Sequence, residues 1–330
     1  MDLSTTYLGL DLPHPLMPGA SPLVDDLDKV RRLEDAGAAA IVMRSLFEEQ
    51  LAMEQLATVG HVDAHEGAHA EAASYLPSLD TFRLGPEDYL EQIRRIKQAV
   101  NLPLIGSLNG VTAGGWLDFA GQIAEAGADA LELNVYFLAA DPDESGEQVE
   151  TRILEMVGAV KKQVQIPVAV KLSPHYTALA NFARRLVSAG ADGLVLFNRF
   201  YQPDIDVDEL EVSRRLRLSD SKELPLRLRW LAILSGRIET SLAASGGVHT
   251  PIDAIKAVMT GAHAVQMVSA LLEHGPEYLG QIKKGVAEWL EEHEYESLGQ
   301  MLGSMNLERS PDPSGYERAN YMEILQMWEA

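Results

Sequence analysis

Not one of the 330 residues is a cysteine. That absence removes disulfides, thiolate metal sites and cysteine nucleophiles together, and it suits a reducing, cytoplasmic setting. Long apolar runs are missing too: none approaches the roughly 20 residues a membrane-crossing helix needs. The opening Met1-Asp2-Leu3-Ser4 has neither the basic start nor the apolar stretch of a secretion signal. Positive charge is scarce, with 27 Lys and Arg against 49 Asp and Glu and a net charge of -22. Such a surface repels nucleic-acid phosphates, but a local basic site for a small anion remains compatible with it. The glycine-rich fingerprint that opens many dinucleotide-binding sheets is also absent, which disfavours an open doubly wound sheet.

What is present is a large core and a rhythm. Apolar residues make up 46% of the chain, and a chain of this length is compatible with one barrel domain over 1–330. Four times a helical pattern ends in Ala-Gly or Gly-Ala and gives way to a short apolar run: Ala36-Gly37 before Ile41-Val42-Met43, Ala126-Gly127 before Ala130 to Leu133, Ala189-Gly190 before Leu194 to Phe197, and Gly261-Ala262 before Val265 to Val268. Glycine there ends a helix in the left-handed conformation. Four further runs alternate with these: Pro15–Gly19, Pro103–Leu108, Pro167–Leu172 and Leu242–Gly246. Runs without polar alternation suit parallel strands covered on both faces. Amphipathic segments at Leu27–Ala36, Tyr89–Val100, Trp116–Ala126, Val149–Val164, Leu179–Ala189 and Pro251–Met259 separate them. Eight strands alternating with helices predict an α/β chain folded as a (β/α)8 TIM barrel.

Two stretches break the rhythm and read as insertions after strands two and six. Residues 46–86 carry His61, His65 and His69 at four-residue spacing; with no further ligand set in view, a solvated helix or lid is the reading and no metal is expected. Residues 199–240 hold Arg214, Arg215, Arg217, Lys222, Arg227, Arg229 and Arg237. Alternation in Leu210–Ser213 and Leu216–Ser219 predicts a hairpin or extended arm there, with most of its basic residues on the surface. Beyond about residue 295 the chain reads as an irregular C-terminal extension, Pro311-Asp312-Pro313 leading to a last short helix over Tyr316–Trp328.

Chemistry in a parallel barrel gathers at the carboxyl ends of the strands. Those positions are Ser21, Arg44-Ser45, Asn109, Asn134, Lys171, Asn198, Gly246-Gly247 and Ser269. The Gly246-Gly247 pair before a helix starting near Thr250-Pro251, together with Ser269-Ala270, offers backbone N–H groups to a phosphate. Lys171 leaves a buried strand and needs an anionic or carbonyl partner. Three roles are open to it: stabilising negative charge on a cofactor ring, forming a Schiff base with a carbonyl substrate, or pairing with Glu132 or Asp192. Asn109, Asn134 and Asn198 each donate and accept, which suits a heterocycle with alternating carbonyl and N–H edges.

These same phrases carry a resemblance. Leu131-Glu132-Leu133-Asn134, Val168 to Leu172, Ala244-Ser245-Gly246-Gly247-Val248 and Gln266 to Leu271 resemble soluble-class dihydroorotate dehydrogenases, as does the opening Asp2 to Pro22. Ser45 to Gln50 and Phe197 to Asp206 resemble a bacterial dihydroorotate dehydrogenase-like subgroup, a likeness that runs over nearly the whole chain. The resemblance implies FMN at the barrel mouth, a homodimer and pyrimidine metabolism. It sets Ala20 and Ser21 beside the flavin, with Arg44 and Ser45 near it and Lys171 against its electron-accepting ring. Gly246, Gly247, Ser269 and Ala270 would hold the phosphate, and Asn109, Asn134 and Asn198 would contact flavin or substrate.

The chain departs from that family where a base is needed. Phe137 stands at the position of the family's cysteine or serine base, Ala139 at that of a substrate asparagine, and Arg44 at that of a lysine. Phenylalanine accepts no proton and guanidinium is no tunable base; beside Lys171, the candidate catalytic residue left is the neighbouring Tyr136 as a substitute base, a poor one with an ordinary pKa of about 10. The expectation is an FMN-dependent oxidoreductase acting on CH–CH bonds of a small ring substrate, inefficient on dihydroorotate. A Schiff-base lyase using Lys171 and a flavin-binding protein without catalysis are the alternatives.

Overall fold

A computed structural model describes residues 1–50, 85–110, 116–213 and 215–327. The three spaced histidines, Arg214 and most of the expected insertion after strand two lie outside the described residues. Among the described residues, thirteen strands follow in chain order: β1 (Thr5–Tyr7), β2 (Leu10–Leu12), β3 (Leu16–Pro18), β4 (Ile41–Val42), β5 (Leu46–Phe47), β6 (Leu104–Asn109), β7 (Ala130–Asn134), β8 (Val168–Leu172), β9 (Gly193–Leu196), β10 (Asp204–Asp206), β11 (Glu211–Ser213), β12 (Ser241–Ser245) and β13 (Ala264–Met267).

Eight of these pair in parallel in the order β3-β13-β12-β9-β8-β7-β6-β4. That order is the chain order taken round a circle, without the reversal a doubly wound sheet requires. The ring closes through the Ala39 N–H, which donates to the Leu16 carbonyl at 3.0 Å and ties the approach to β4 onto β3. The fold is therefore the (β/α)8 barrel expected. β5 continues the second strand after a break at Met43 to Ser45 and pairs with the end of β6. The four glycines of the repeated phrase all adopt the left-handed backbone: Gly37 at φ +79, Gly127 at +107, Gly190 at +111 and Gly261 at +113.

Successive strand residues face opposite sides of a sheet, and the buried residues sort accordingly. One cluster takes a single residue from each barrel strand: Met17, Val42, Ile105, Ala130, Ala169, Val195, Ala243 and Ala264. Half of these are alanine because the β1–β2 hairpin plugs this end from below, inserting Tyr7, Leu8 and Leu12 into the same cluster. The alternate residues, Leu131, Leu133, Val168, Val170, Leu194 and Leu196 among them, join the larger cluster that packs the helices outside the barrel. Two residues further along β6, β7, β8, β12 and β13 the interior turns polar, with Ser107, Glu132, Lys171, Ser245 and Gln266 all buried.

Two expectations need correction, and two helices are additional to those expected. The hairpin after strand six pairs β10 with β11, so Leu216–Ser219 is not its second strand. Residues Leu224–Leu234 form a helix with Pro225 in its first turn; its sequence is apolar nearly all round, so no amphipathic period announces it. Most basic residues of this stretch are exposed as expected, Arg215, Arg217, Lys222, Arg229 and Arg237 among them, but Arg227 on that helix is buried, donating to the Ser245 carbonyl at 3.0 Å and the Glu223 carbonyl at 2.8 Å. A further helix, Tyr278–Glu292, packs on Pro251–Met259, and the last helix is Ala319–Gln326, shorter than expected.

Candidate active site

A cavity of 470 Å³ opens at the carboxyl ends of the strands. Strand register sets its floor. Asn109 on β6 stands beside Asn134 on β7, and Asn134 beside Lys171 on β8, so three polar side chains cross the mouth in one row. All three line the cavity, as do Ala20, Ser21, Arg44, Ser45, Asn198, Gly246 and Ser269. Gly247 and Ala270 do not line it. A Cβ on Gly247 would come within 2.5 Å of the Leu224 nitrogen, because this glycine sits tight against the start of the Leu224–Leu234 helix. Ala270 is fully buried within the short helix Ser269–His274.

Lys171 occupies the centre. Its ammonium donates to Glu132 Oε1 at 3.2 Å and Gln266 Oε1 at 3.0 Å, and Gln266 Nε2 donates to Glu132 Oε2 at 2.5 Å. Glu132 is completely buried and Lys171 nearly so. Of the two carboxylates open to Lys171, Glu132 is the partner, while Asp192 takes Lys161 at 2.7 Å. An unpaired charge at this depth would be costly, so this network holds a cation at the mouth of an apolar barrel. Two of the three Lys171 N–H groups are taken by Glu132 and Gln266, which leaves one for a ligand.

Around it the side chains are partly satisfied. Asn134 Nδ2 donates to Ser45 Oγ at 3.3 Å, and Ser45 bonds Ser107 Oγ at 2.8 Å. Asn198 Nδ2 donates to the carbonyls of Val135 at 3.3 Å and Lys171 at 3.1 Å, leaving its own oxygen for a ligand. Arg44 pairs with Asp25 at 3.1 Å, an aspartate from the turn after Ser21 that sequence reading did not link to it. Ser21 Oγ, Asn134 Oδ1, Asp25 Oδ1 and Arg199 Nη1 are buried without a hydrogen-bond partner.

The phosphate end differs from expectation in one respect. The N–H groups at the start of the Pro251–Met259 helix are not free: those of His249 and Thr250 donate to Asp253 Oδ2 at 3.1 and 2.9 Å, in a capping box with Thr250. The loop's remaining donors include the N–H groups of Gly246 and Gly247, both left-handed at φ +89 and +80. The buried Arg227 guanidinium stands behind them, 3.0 Å from where a Gly246 Cβ would be. Ser219 also lines the cavity, and sequence reading missed it. Its N–H and hydroxyl both reach Ser269 Oγ, at 3.0 and 2.9 Å, and its hydroxyl lies 3.2 Å from His249 Nε2. Only the path of the chain before the Leu224–Leu234 helix brings Ser219 here, so no local signal pointed to it.

The rim is aromatic. Tyr136 stacks on Phe200 with ring centroids 4.4 Å apart, and Tyr201 lines the cavity beside Arg199. Burial, then the neighbouring Tyr201, pushes the Tyr136 phenol above its ordinary value, which makes it a poorer base still. Phe137 does not line the cavity; the Arg152 guanidinium lies 4.6 Å from its ring centre.

Comparison with known proteins agrees with this geometry. A family profile described as dihydroorotate dehydrogenase matches residues 81–290. The catalytic subunit of dihydroorotate dehydrogenase B (NAD(+)) from Thermoplasma volcanium is 26% identical over 315 residues, covering 92% of this chain and 98% of that one. The protein of the same name from Pyrococcus abyssi is 26% identical over 310 residues, covering 91% and 98%. NAD-dependent dihydropyrimidine dehydrogenase subunit PreA of Escherichia coli is 22% identical over 339 residues, covering 92% and 77%. Dihydroorotate dehydrogenases are FMN flavoproteins and oxidoreductases of CH–CH bonds. The unpartnered Ser21 and Asn134 atoms, the Lys171 cation and the glycine donors near Arg227 fit such a cofactor. With a match over more than half its length and a mouth built to suit, the chain belongs to the dihydroorotate dehydrogenase family.

Proposed function

We propose that this chain is a single-domain FMN-dependent oxidoreductase that oxidises or reduces a CH–CH bond in a small ring compound other than dihydroorotate. The observation that carries this reading is the Lys171–Glu132–Gln266 network, a buried cation set among asparagines at the barrel mouth. Ser21, Asn134 and Lys171 would hold the flavin ring, while Gly246, Gly247 and Ser269 would hold its phosphate against the field of Arg227. When bound, FMN supplies the hydride acceptor or donor. Lys171 places positive charge where negative charge develops on reduction. Asn109 and the Asn198 oxygen orient a ring with amide-like edges.

The strand-four loop brings no carboxylate, cysteine or serine into the cavity lining. Phe137 has no acceptor to offer and lies outside the cavity lining, and the Tyr136 phenol, already weakly acidic, is pushed further from ionising by partial burial and Tyr201. Reactions that need a base at this loop, as dihydroorotate oxidation does in the family, are therefore disfavoured. A Schiff-base role for Lys171 gains no support from the family match, which points to flavin chemistry.

A homodimer suits the exposed apolar residues of the β10–β11 hairpin, Ile205, Leu210 and Val212. No helix among the described residues is long and apolar enough to cross a membrane, and a cytoplasmic setting fits the absence of cysteine. The test is reconstitution: the protein should take up FMN and turn yellow, and dihydroorotate should bleach its colour far more slowly than dithionite does. A colourless protein that takes up no FMN ends the reading.

A further inference from the structure

A second cavity, of 480 Å³, adjoins the first and shares Arg199 and Tyr201 with it. It lies between the strand-six loop and the hairpin arm, in a segment to which the flavin reading gives no task. Three guanidinium groups line it, Arg199, Arg215 and Arg217, against two carboxylates, Asp204 and Glu223. Glu223 is taken by Arg199 at 2.9 Å. Among the described residues, Arg215 and Arg217 make no ion pair, and both are exposed.

This is a locally basic cleft on a chain of net charge -22. Gathering guanidinium groups costs mutual repulsion unless an anion joins them. A second observation points the same way. Arg199 Nη1 is buried without a hydrogen-bond partner, although an unmet charged donor is expensive. The Arg199 guanidinium also lies 5.3 Å from the ring centre of Tyr201, whose side chain is half exposed, so a planar group has a surface to lie on beside the cations.

We propose that this cavity is an anion-binding site for the carboxylate or phosphate group of a small organic ligand, whose remainder reaches past Tyr201 toward the first cavity. Arg215 and Arg217 supply the charge, and Arg199 joins the two cavities. The site does not depend on the flavin reading, because its cations stand outside the residues given to FMN.

The test uses the full chain saturated with FMN, so that the flavin's own phosphate site is filled, and titrates it calorimetrically with two probes, pyrophosphate and succinate, at low and at moderate salt. Saturable binding is expected for at least one, weakening as salt rises. The R215Q/R217Q variant should lose at least about tenfold in affinity, while its thermal melt and FMN uptake match the parent, because both side chains are exposed. Preference for pyrophosphate identifies a phosphate group, and preference for succinate a carboxylate. Absence of saturable binding by either probe overturns the proposal, as does equal affinity in the double variant. Unchanged FMN uptake keeps either failure separate from a failure of the flavin reading.

Discussion

The bottom of the barrel and its mouth are built from the same eight strands, a few residues apart along each, yet they treat polar groups in opposite ways. At the bottom the interior is mostly alanine, valine and methionine, closed by Tyr7, Leu8 and Leu12. His14 near this end is paired on both ring nitrogens: Nε2 meets the Gly37 carbonyl at 2.6 Å while Nδ1 accepts from the Leu16 N–H at 3.2 Å. At the mouth, Ser21, Asp25, Asn134 and Arg199 keep buried atoms without partners, four of six such atoms among the described residues; Thr240, just before β12, and Ser304 hold the other two. A buried polar atom left unmet costs stability, and the larger share of them gathers at the end where the cavity opens. The bottom serves stability and the mouth binding.

The sharpest way to break that division is Lys171→Met. It should strand Glu132 as an unpaired buried charge and cost about 3–5 kcal/mol, read by urea denaturation, and it should slow flavin reduction as well. Adding Glu132→Gln should recover much of the stability and none of the reduction rate. If the single variant is as stable as the parent, the mouth network holds no buried charge. At the other end, Leu12→Ala should cost about 2–5 kcal/mol through the cavity it leaves, with FMN affinity unchanged within error. A matching loss of FMN affinity would show that the two ends are not separable.

The bottom also sets a pH dependence. Burial pulls the His14 imidazole down from 6.5 to about 4, with the Gly37 carbonyl opposing that and Lys283 adding to it. Between those values the unfolded chain binds a proton that the folded chain refuses, so the contribution of His14 is full above pH 6.5 and is lost as pH falls toward about 4. His14→Gln should flatten this part of the stability profile, and equal slopes for the two proteins would refute it. The smallest effect is expected at Ser21→Ala. Removing an unmet hydroxyl should leave the FMN-free protein as stable as before or more stable by about 1 kcal/mol, while FMN binding weakens about fivefold. A variant that loses stability without FMN would place Ser21 in the scaffold instead.

Much of the mouth was legible because its residues end strands, and strands in this chain announce themselves. Asn109, Asn134 and Lys171 each follow an apolar run, and the helix–glycine–strand phrase marked where four of the barrel's runs begin. Ser219, Arg199 and the buried Arg227 were not legible in the same way. They lie in residues 199–240, where an apolar helix lacks a period and charged residues look superficial one by one. Gly247 was legible as a turn glycine, but its closeness to Leu224 comes from a segment well before it in the chain.

Amino-acid order was enough for the barrel, since eight buried runs alternating with helices have few other ways to cover both strand faces. It was enough to show that Phe137 offers no proton acceptor, whatever the fold around it. Packing settled which partner holds Lys171, whether the helix-start N–H groups at His249 and Thr250 are free, and that Arg199 stands between two cavities. Apart from the local helix cap, those are contacts between residues far apart in the chain. Burial and hydrogen bonding are assigned to such residues only when the ring of strands closes.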